Sequence, residues 1–302
     1  MRVREIGSYC AGGRTVSVSG APVRDIQVTR HSSIRSDPNG TYAVEHAWVD
    51  YFVPETLSDP TPVVLLHGGG LHGGMWSTTP DGRPGWLQTL LELGREVHVV
   101  DNVERGRAGW MPGRFEGDPI LRTMEEAWRL FRLGRPEDFA TRRTFAGCRF
   151  PVMALEAFAR YGCPRWTSTR AVQTQAFAAV LERLGRSVVI CHSQGGEIAF
   201  EAAAAAPQRV AQLIAVEPSG FAQDPTRLAD LPITWVIGDF IDCDARWRDT
   251  TVRWQDAIAA LRQAGARVDR FDCAPRWPGS THMLMMDQGN EEIITALMQD
   301  VA

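Results

Sequence analysis

Nowhere in the 302 residues is there an unbroken apolar run of about 18 residues, the minimum for a membrane-crossing helix, so no membrane insertion is expected. The opening stretch MRVREIGSYCAGGRTVSVSG lacks the apolar core of a secretory signal, which favours a cytoplasmic location unless a leader has been removed. Charge of either sign is not in excess. The 32 Lys+Arg and 36 Asp+Glu leave a net −4, and the basic residues are scattered, which excludes the footprint of a nucleic-acid partner. The six cysteines (Cys10, Cys148, Cys163, Cys191, Cys243 and Cys273) include no C-x-x-C pair, against a zinc site or a thioredoxin-type centre. Buried or half-buried free thiols are expected, with Cys148 and Cys163 the one pairing inside a single segment. Internal repeats are absent, and the one simple stretch, EAAAAAP at 201–207, is a strong helix former stopped near its proline.

What the chain does contain is a 44% hydrophobic composition, enough for one large core. Strand-like runs fall at 24–30, 42–54, 62–68, 96–102, 187–193, 210–217, 233–240 and 266–273. Several are continuously apolar, as strands covered on both faces must be. Helical patterns at 85–94, 167–185, 195–206, 246–265 and 290–302 lie between them. Alternation of this kind predicts an α/β fold with a mostly parallel eight-stranded sheet flanked by helices. From 106 to 165 the rhythm stops, while TMEEAWRLFRLG (123–134) and FPVMALEAFARYG (150–162) read as amphipathic helices. A structureless loop of that length is improbable, so 106–165 is expected to be a helical cap inserted after the fourth strand, on a core of 1–105 and 166–302.

The stretch VVICHSQGGEIAF (188–200) runs from a strand directly into a helix through a serine. Cys191, His192, Ser193, Gln194 and Gly195 match the G-x-S-x-G elbow of α/β-hydrolases with cysteine in the first small position. There the nucleophile takes a strained turn, and the next N–H, from Gln194, sits where an acyl oxyanion forms. LLHGGGLHGG (65–74) has the character of an oxyanion loop, with Gly69 as second donor. It lacks the Lys-Ser/Thr of a phosphate loop, and His67 and His72 have no nearby carboxylate or cysteine to complete a metal site. His282 follows the last expected strand, in the place of a general base. His192, on the opposite face of its strand from its neighbours, reads as support for the elbow. For the carboxylate that orients the base, Glu217, Asp239 and Asp242 all end strands at the sheet's carboxyl edge, and spacing does not choose among them.

CHSQGG, AVEPSG, GSTHMLMMDQGN, TTPDGRPGW (78–86), ERGRAG (104–109) and EEAWRLFRLG (125–134) together resemble a small group of bacterial α/β-hydrolase esterases of the Alcaligenes esterase type. The likeness runs from GSYCAGGR (7–14) to the terminal helix. It implies a Ser193–His282–Glu217 triad, with the acid after the sixth strand, and an oxyanion hole of Gly69 and Gln194. In that family the oxyanion loop can carry cysteines where this chain has Gly69 and Gly70, so its redox chemistry does not carry over. The expected function is hydrolysis of a small to medium carboxylic ester, without metal or organic cofactor. Lactone, thioester or carbon–carbon cleavage and a non-catalytic small-molecule binder are the alternatives on the same fold. A homodimer stays open. The acidic substrate group that Arg105 and Arg107 could meet is weighed against a solvated turn, and Trp76, Trp110 and Met283 are weaker pocket candidates.

Overall fold

The structure is a computed structural model that describes residues 2–111, 113, 115–299 and 301. Its strands are β1 (Val3–Val18), β2 (Arg24–Thr29), β3 (Ser32–Ser36), β4 (Gly40–Pro54), β5 (Asp59–Leu66), β6 (Arg95–Asp101), β7 (Ser187–His192), β8 (Val210–Val216), β9 (Pro232–Ile237) and β10 (Arg267–Asp272). The helices are α1 (Trp86–Glu92), α2 (Met124–Leu130), α3 (Leu155–Ala159), α4 (Arg170–Leu184), α5 (Gln194–Ala205), α6 (Ala245–Gln263) and α7 (Asn290–Gln299). Eight strands make one sheet in the order β1-β4-β6-β5-β7-β8-β9-β10. Pairing is antiparallel from β1 through β4 to β6 and parallel from β6 to β10. No helix among the described residues is long and apolar enough to cross a membrane.

The continuous apolar runs are explained by burial on two faces. Along β7, Val189 and Cys191 join one core while Val188 and Ile190 join the other, and along β8 Leu213 and Ala215 part from Ile214 and Val216 in the same way. The first core is closed by α4, α5 and α6. The second is closed by α1, α7 and the 124–158 segment, with Trp128, Phe131, Phe150 and Phe158 in it. Most of the aromatic residues between 106 and 165 therefore fasten that segment to the sheet.

Two expectations are corrected. The run at 24–30 lies outside the main sheet: it forms β2, which among the described residues pairs only with β3, in an exposed hairpin. The eighth strand is β1, aligned with β4 from Val3↔Pro54 to Val18↔Gly40, and its small and polar residues give no apolar run because it is an edge strand with one neighbour. The helices in the 106–165 segment are also shorter than their apolar patterns. After Leu130 the chain leaves α2 through Phe131 and a left-handed Arg132 (φ 59°), and the Leu133 N–H reaches back to the Trp128 carbonyl at 3.1 Å. That is the Schellman ending usually given to glycine. Cys148 and Cys163 are unpaired, and of the six free thiols Cys10 and Cys243 are exposed rather than buried.

One close contact in the core lies where the start of α5 passes the residue after β5. A Cβ on Gly195 would stand 2.5 Å from the His67 carbonyl oxygen. Gly195→Ala must therefore push the helix off the strand, and a loss of about 1–3 kcal/mol is expected as a lower urea midpoint.

Candidate active site

Ser193 sits between β7 and α5 with φ 51° and ψ −118°, a backbone conformation that a side-chain-bearing residue adopts only under constraint. The constraint is visible. Its N–H donates to the Val216 carbonyl at 3.0 Å, and its own carbonyl accepts from Gly196 and Ser219, both at 2.9 Å. Gln194 opens α5, so its N–H has no partner within the helix and lies at the positive end of the helix dipole. Gly69 borders it so closely that a Cβ there would fall 2.5 Å from Gln194 Oε1. Gly69, Ser193, Gln194, Glu217 and His282 all line one cavity of about 160 Å³.

Glu217 directly follows β8, the sixth strand of the main sheet, at φ 43°. Its carboxylate is fully buried and receives four donors. Oε2 accepts from His282 Nδ1 at 2.5 Å and from Arg132 Nη1 at 2.8 Å; Oε1 accepts from Arg132 Nη2 at 2.5 Å and from the Gly238 N–H at 2.7 Å. Burial alone would raise its pKa, but Arg132 and His282 more than offset this and bring it down to about 2. With Nδ1 donating to the carboxylate, His282 presents Nε2 as the free acceptor. Burial pulls the His282 pKa below its ordinary value; Glu217 opposes the shift and Arg132 adds to it.

The imidazole is held on every side. Phe131 stacks on it at 5.5 Å between ring centroids, and Trp247 lies at 4.9 Å. The His282 N–H donates to the Phe131 carbonyl at 3.2 Å, and its carbonyl accepts from His192 Nε2 at 3.0 Å. His192 thus ties the elbow strand to the histidine loop, and burial holds it neutral. Asp287 accepts the Thr281 N–H at 2.6 Å and its hydroxyl at 2.8 Å, while Arg83 donates to the carbonyls of Met286 and Asp287, both at 2.9 Å.

Of the two other acids, Asp239 accepts the N–H groups of Phe240 and Gly279 and so fixes the loop before His282, and Asp242 is exposed. His67 accepts the Asn102 N–H on Nε2 and donates from Nδ1 to the Gly68 carbonyl, which leaves no lone pair for a metal. Burial, reinforced by Arg105, lowers its pKa to about 3. Three pocket expectations fail. Trp76 is packed on Trp86 in the core with no exposed surface, and Met283 is equally buried there, because the residues after His282 anchor its loop from beneath. Trp110 is 52% exposed, stacks on Trp166 and lines a different hollow with Tyr42 and Phe115. Nor is Arg105 in a solvated turn: it is buried, pairs with Glu104 at 3.2 Å and donates to the carbonyls of Gly68 and Leu71, bracing the glycine loop. Arg107 bridges Asp50 and Asp101.

The sequence reading missed Arg132, which holds Glu217, and Trp247, which lines the cavity together with Arg122, Arg165, Arg246 and Arg253. The signal for Arg132 was present in EEAWRLFRLG, which counted as a helical pattern and as a motif of the resemblance without a role for its second arginine.

A sheet of this order, a serine elbow after its fifth strand and a histidine loop before its last helix define the α/β-hydrolase fold. The chain is similar over 98% of its length to a bacterial esterase solved at atomic resolution, with 26% identity, 95% of that chain covered and a TM-score of 0.85. The resemblance to bacterial esterases therefore holds across nearly the whole fold. A probable secreted lipase, phiG, of a fungal species (strain ATCC 74256) is 29% identical over 197 residues, 60% of this chain and 51% of the lipase. The chain thus spans about half the length of that curated relative. A probable hydrolytic enzyme of Pseudomonas aeruginosa PAO1 shares the fold at 14% identity and a TM-score of 0.50, over 95% of this chain and 96% of that one. No family model matches the chain.

Asp287 offers a test of the support beneath the histidine loop. Burial raises its pKa from 3.8 to about 7. Between those values the unfolded chain has released a proton that the folded one retains, so stability falls as pH rises through this window. Asp287→Asn removes the titrating group. In urea titrations at several pH values, the variant is expected to lose less stability between pH 4 and 8 than the parent, by up to about 4 kcal/mol. Parallel pH profiles for the two proteins would contradict this account.

Proposed function

We propose that the protein is a serine carboxylesterase acting on small to medium esters through an acyl-enzyme, with Ser193 as nucleophile, His282 as general base and Glu217 as the orienting acid. The observation that carries this reading is the 2.5 Å contact between Glu217 and His282 Nδ1 in the cavity bordered by the Ser193 elbow. It leaves the other imidazole nitrogen unprotonated, and His282 and Ser193 line the same cavity. The bacterial esterase similar along nearly the full chain supports the same choice of reaction class.

In the first half-reaction Ser193 Oγ attacks the ester carbonyl carbon while its proton passes to His282 Nε2. The carbonyl π electrons move to oxygen, and the resulting oxyanion is received by the N–H groups of Gly69 and Gln194, each such donor being worth about 10²–10³ in rate. Collapse re-forms the carbonyl, expels the alcohol oxygen and returns the proton from His282 to it. Water then repeats the sequence on the acyl-serine, giving up a proton to His282, and the acid departs as that proton goes back to Ser193. Substrate, water and these side chains account for every proton and electron pair, so the scheme needs no metal or organic cofactor.

In this reading the 106–165 segment serves as a cap. It supplies Phe131 to the imidazole and Arg132 to the carboxylate, and it forms a small apolar recess of about 40 Å³ beside Gly69 from Met124, Ala127, Leu155 and Phe158. A recess of that size suits a short acyl or alkyl group.

Ser193→Ala is expected to abolish the burst of 4-nitrophenol from short 4-nitrophenyl esters. Glu217→Gln should lower kcat by about 10⁴-fold because the wrong imidazole tautomer becomes favoured. Asp242→Asn should stay near the parent rate; an inverted result for the two acids would remove Glu217 from the triad. A separate check is the pH profile of kcat/KM. The base works only when neutral, and the His282 pKa is held below its ordinary value by burial, so the acid limb should lie below about pH 6.5.

A further inference from the structure

The cavity beside Ser193 is unbalanced in charge. Four guanidinium groups line it, from Arg122, Arg165, Arg246 and Arg253, and the one carboxylate among its lining residues is Glu217, already bound by Arg132, Gly238 and His282. Arg122 and Arg165 are half-buried, whereas Arg246 and Arg253 stand at the exposed rim on α6. Arg165 donates to Gln194 Oε1 at 2.8 Å and Arg253 to Thr250 at 2.8 Å. Among the described residues, the side chains of Arg122 and Arg246 make neither a hydrogen bond nor an ion pair.

The acids that act on three of these arginines are engaged elsewhere. Glu126, which acts on Arg122, closes the N-terminal capping box of α2 with Thr123. Glu104, which acts on Arg165, pairs with Arg105, and Asp244, which acts on Arg246, pairs with Arg129 at 2.7 Å. Burial and mutual repulsion pull the pKa values of Arg122 and Arg165 below the ordinary guanidinium range. A cluster of unpaired cations in a confined cavity is costly unless an anion joins it. Arginine, with its planar fork of donors, is the side chain best matched to a carboxylate.

We propose that the ester taken by this site carries a second group, a carboxylate, which binds among Arg122, Arg165, Arg246 and Arg253 while the scissile carbonyl lies at Ser193. The apolar recess beside Gly69 would then hold the uncharged part of the substrate, and the two lobes meet at Arg122 and Phe131, which line both. This assignment rests on the esterase reading above and adds a substrate class to it.

Two matched ester pairs test it, one with the charge on the acyl side and one with it on the alcohol side. The first compares the mono-4-nitrophenyl ester of glutaric acid with 4-nitrophenyl pentanoate; the second compares 4-acetoxybenzoate with its methyl ester. Rates measured with the Ser193→Ala protein are subtracted, because a neighbouring carboxylate hydrolyses such esters unaided. In at least one pair the charged ester is expected to have about tenfold or greater kcat/KM at low salt, shrinking as salt is added. The charged-to-neutral ratio should collapse in Arg122→Gln and Arg246→Gln, and stay at the parent value in the exposed control Arg227→Gln. Ratios at or below unity in both pairs would overturn the proposal, as would a preference that survives both substitutions. If none of the four esters is turned over above the Ser193→Ala background, the esterase reading fails instead. The cationic lobe is then judged by calorimetric titration of glutarate into the Ser193→Ala protein, where binding weakened by Arg122→Gln supports it and no binding refutes it.

Discussion

The site is organised around one buried carboxylate. Glu217 has no exposed surface on its side chain, and an unpaired charge in that position would be prohibitive, so each of its four donors is a structural requirement as well as a chemical one. The donors come from three distant parts of the chain: Arg132 from the segment inserted after β6, Gly238 from the end of β9, and His282 from the loop that precedes α7. Removing one partner of such a buried pair typically costs about 3–5 kcal/mol, because the charge left behind stays in place. The inserted segment is consequently part of the site's foundation, not a lid laid over a finished one. Three non-glycine residues with positive φ, Arg132, Ser193 and Glu217, meet at this site, the first bonded to the carboxylate and the second lining the same cavity. Strain of that kind persists only where surrounding contacts over-determine the conformation, and here the contacts are those of Glu217 and the elbow.

Sharing the carboxylate between an arginine and a histidine has an electrostatic consequence. A carboxylate that faces only an imidazole raises its basicity; one whose charge is already half-committed to a guanidinium raises it less. Arg132 therefore holds Glu217 ionised while acting against protonation of His282, and burial acts in the same direction on the ring. Arg132 also lies over the Trp247 ring at 4.2 Å, so part of its own charge is met by an aromatic face that in turn packs against His282. The balance favours a neutral imidazole over most of the physiological range, which is the form a general base needs.

The sheet and the elbow were legible because their signals are local. Continuous apolar strands mark two-faced burial, and a serine between VVICH and GGEIAF can belong to few turns. Edge strand β1 escaped because a strand with one neighbour and alternate exposed residues carries no apolar run. The contact between Glu217 and His282 could not be read from spacing, since Glu217, Asp239 and Asp242 all end strands at one sheet edge, and only the resemblance singled Glu217 out. The motifs behind that resemblance have physical roles that appear only in three dimensions. TTPDGRPGW and GSTHMLMMDQGN form two sides of one clasp, with Arg83 on the carbonyls of Met286 and Asp287 and Trp86 on the carbonyl of Asn290. ERGRAG buries Arg105 under the glycine loop, and EEAWRLFRLG ends in the arginine that holds Glu217. Periodicity finds elements, but it is blind to a long-range hydrogen bond made by the residue that terminates one. The aromatic pocket candidates failed for the related reason that adjacency to a site in sequence does not fix which way a side chain faces: Trp76 and Met283 follow the oxyanion loop and the histidine, and both turn into the core.

Helix α2 joins these themes in seven residues. At its entrance the Thr123–Glu126 capping box fixes the chain direction and sets Arg122 against the cavity; at its exit Phe131 and Arg132 grip the imidazole and the carboxylate. Between the two ends, Trp128 is buried in the core and donates to the Arg135 carbonyl at 2.9 Å, so the helix cannot shift at one end without moving the other. The Arg122 side of the cavity and the packing around the Glu217–His282 pair are thus carried by one piece. Here a change that repositions Arg122 also acts on the Glu217–His282 pair, and the freedom to vary this pocket is limited to side chains that leave the path of α2 intact.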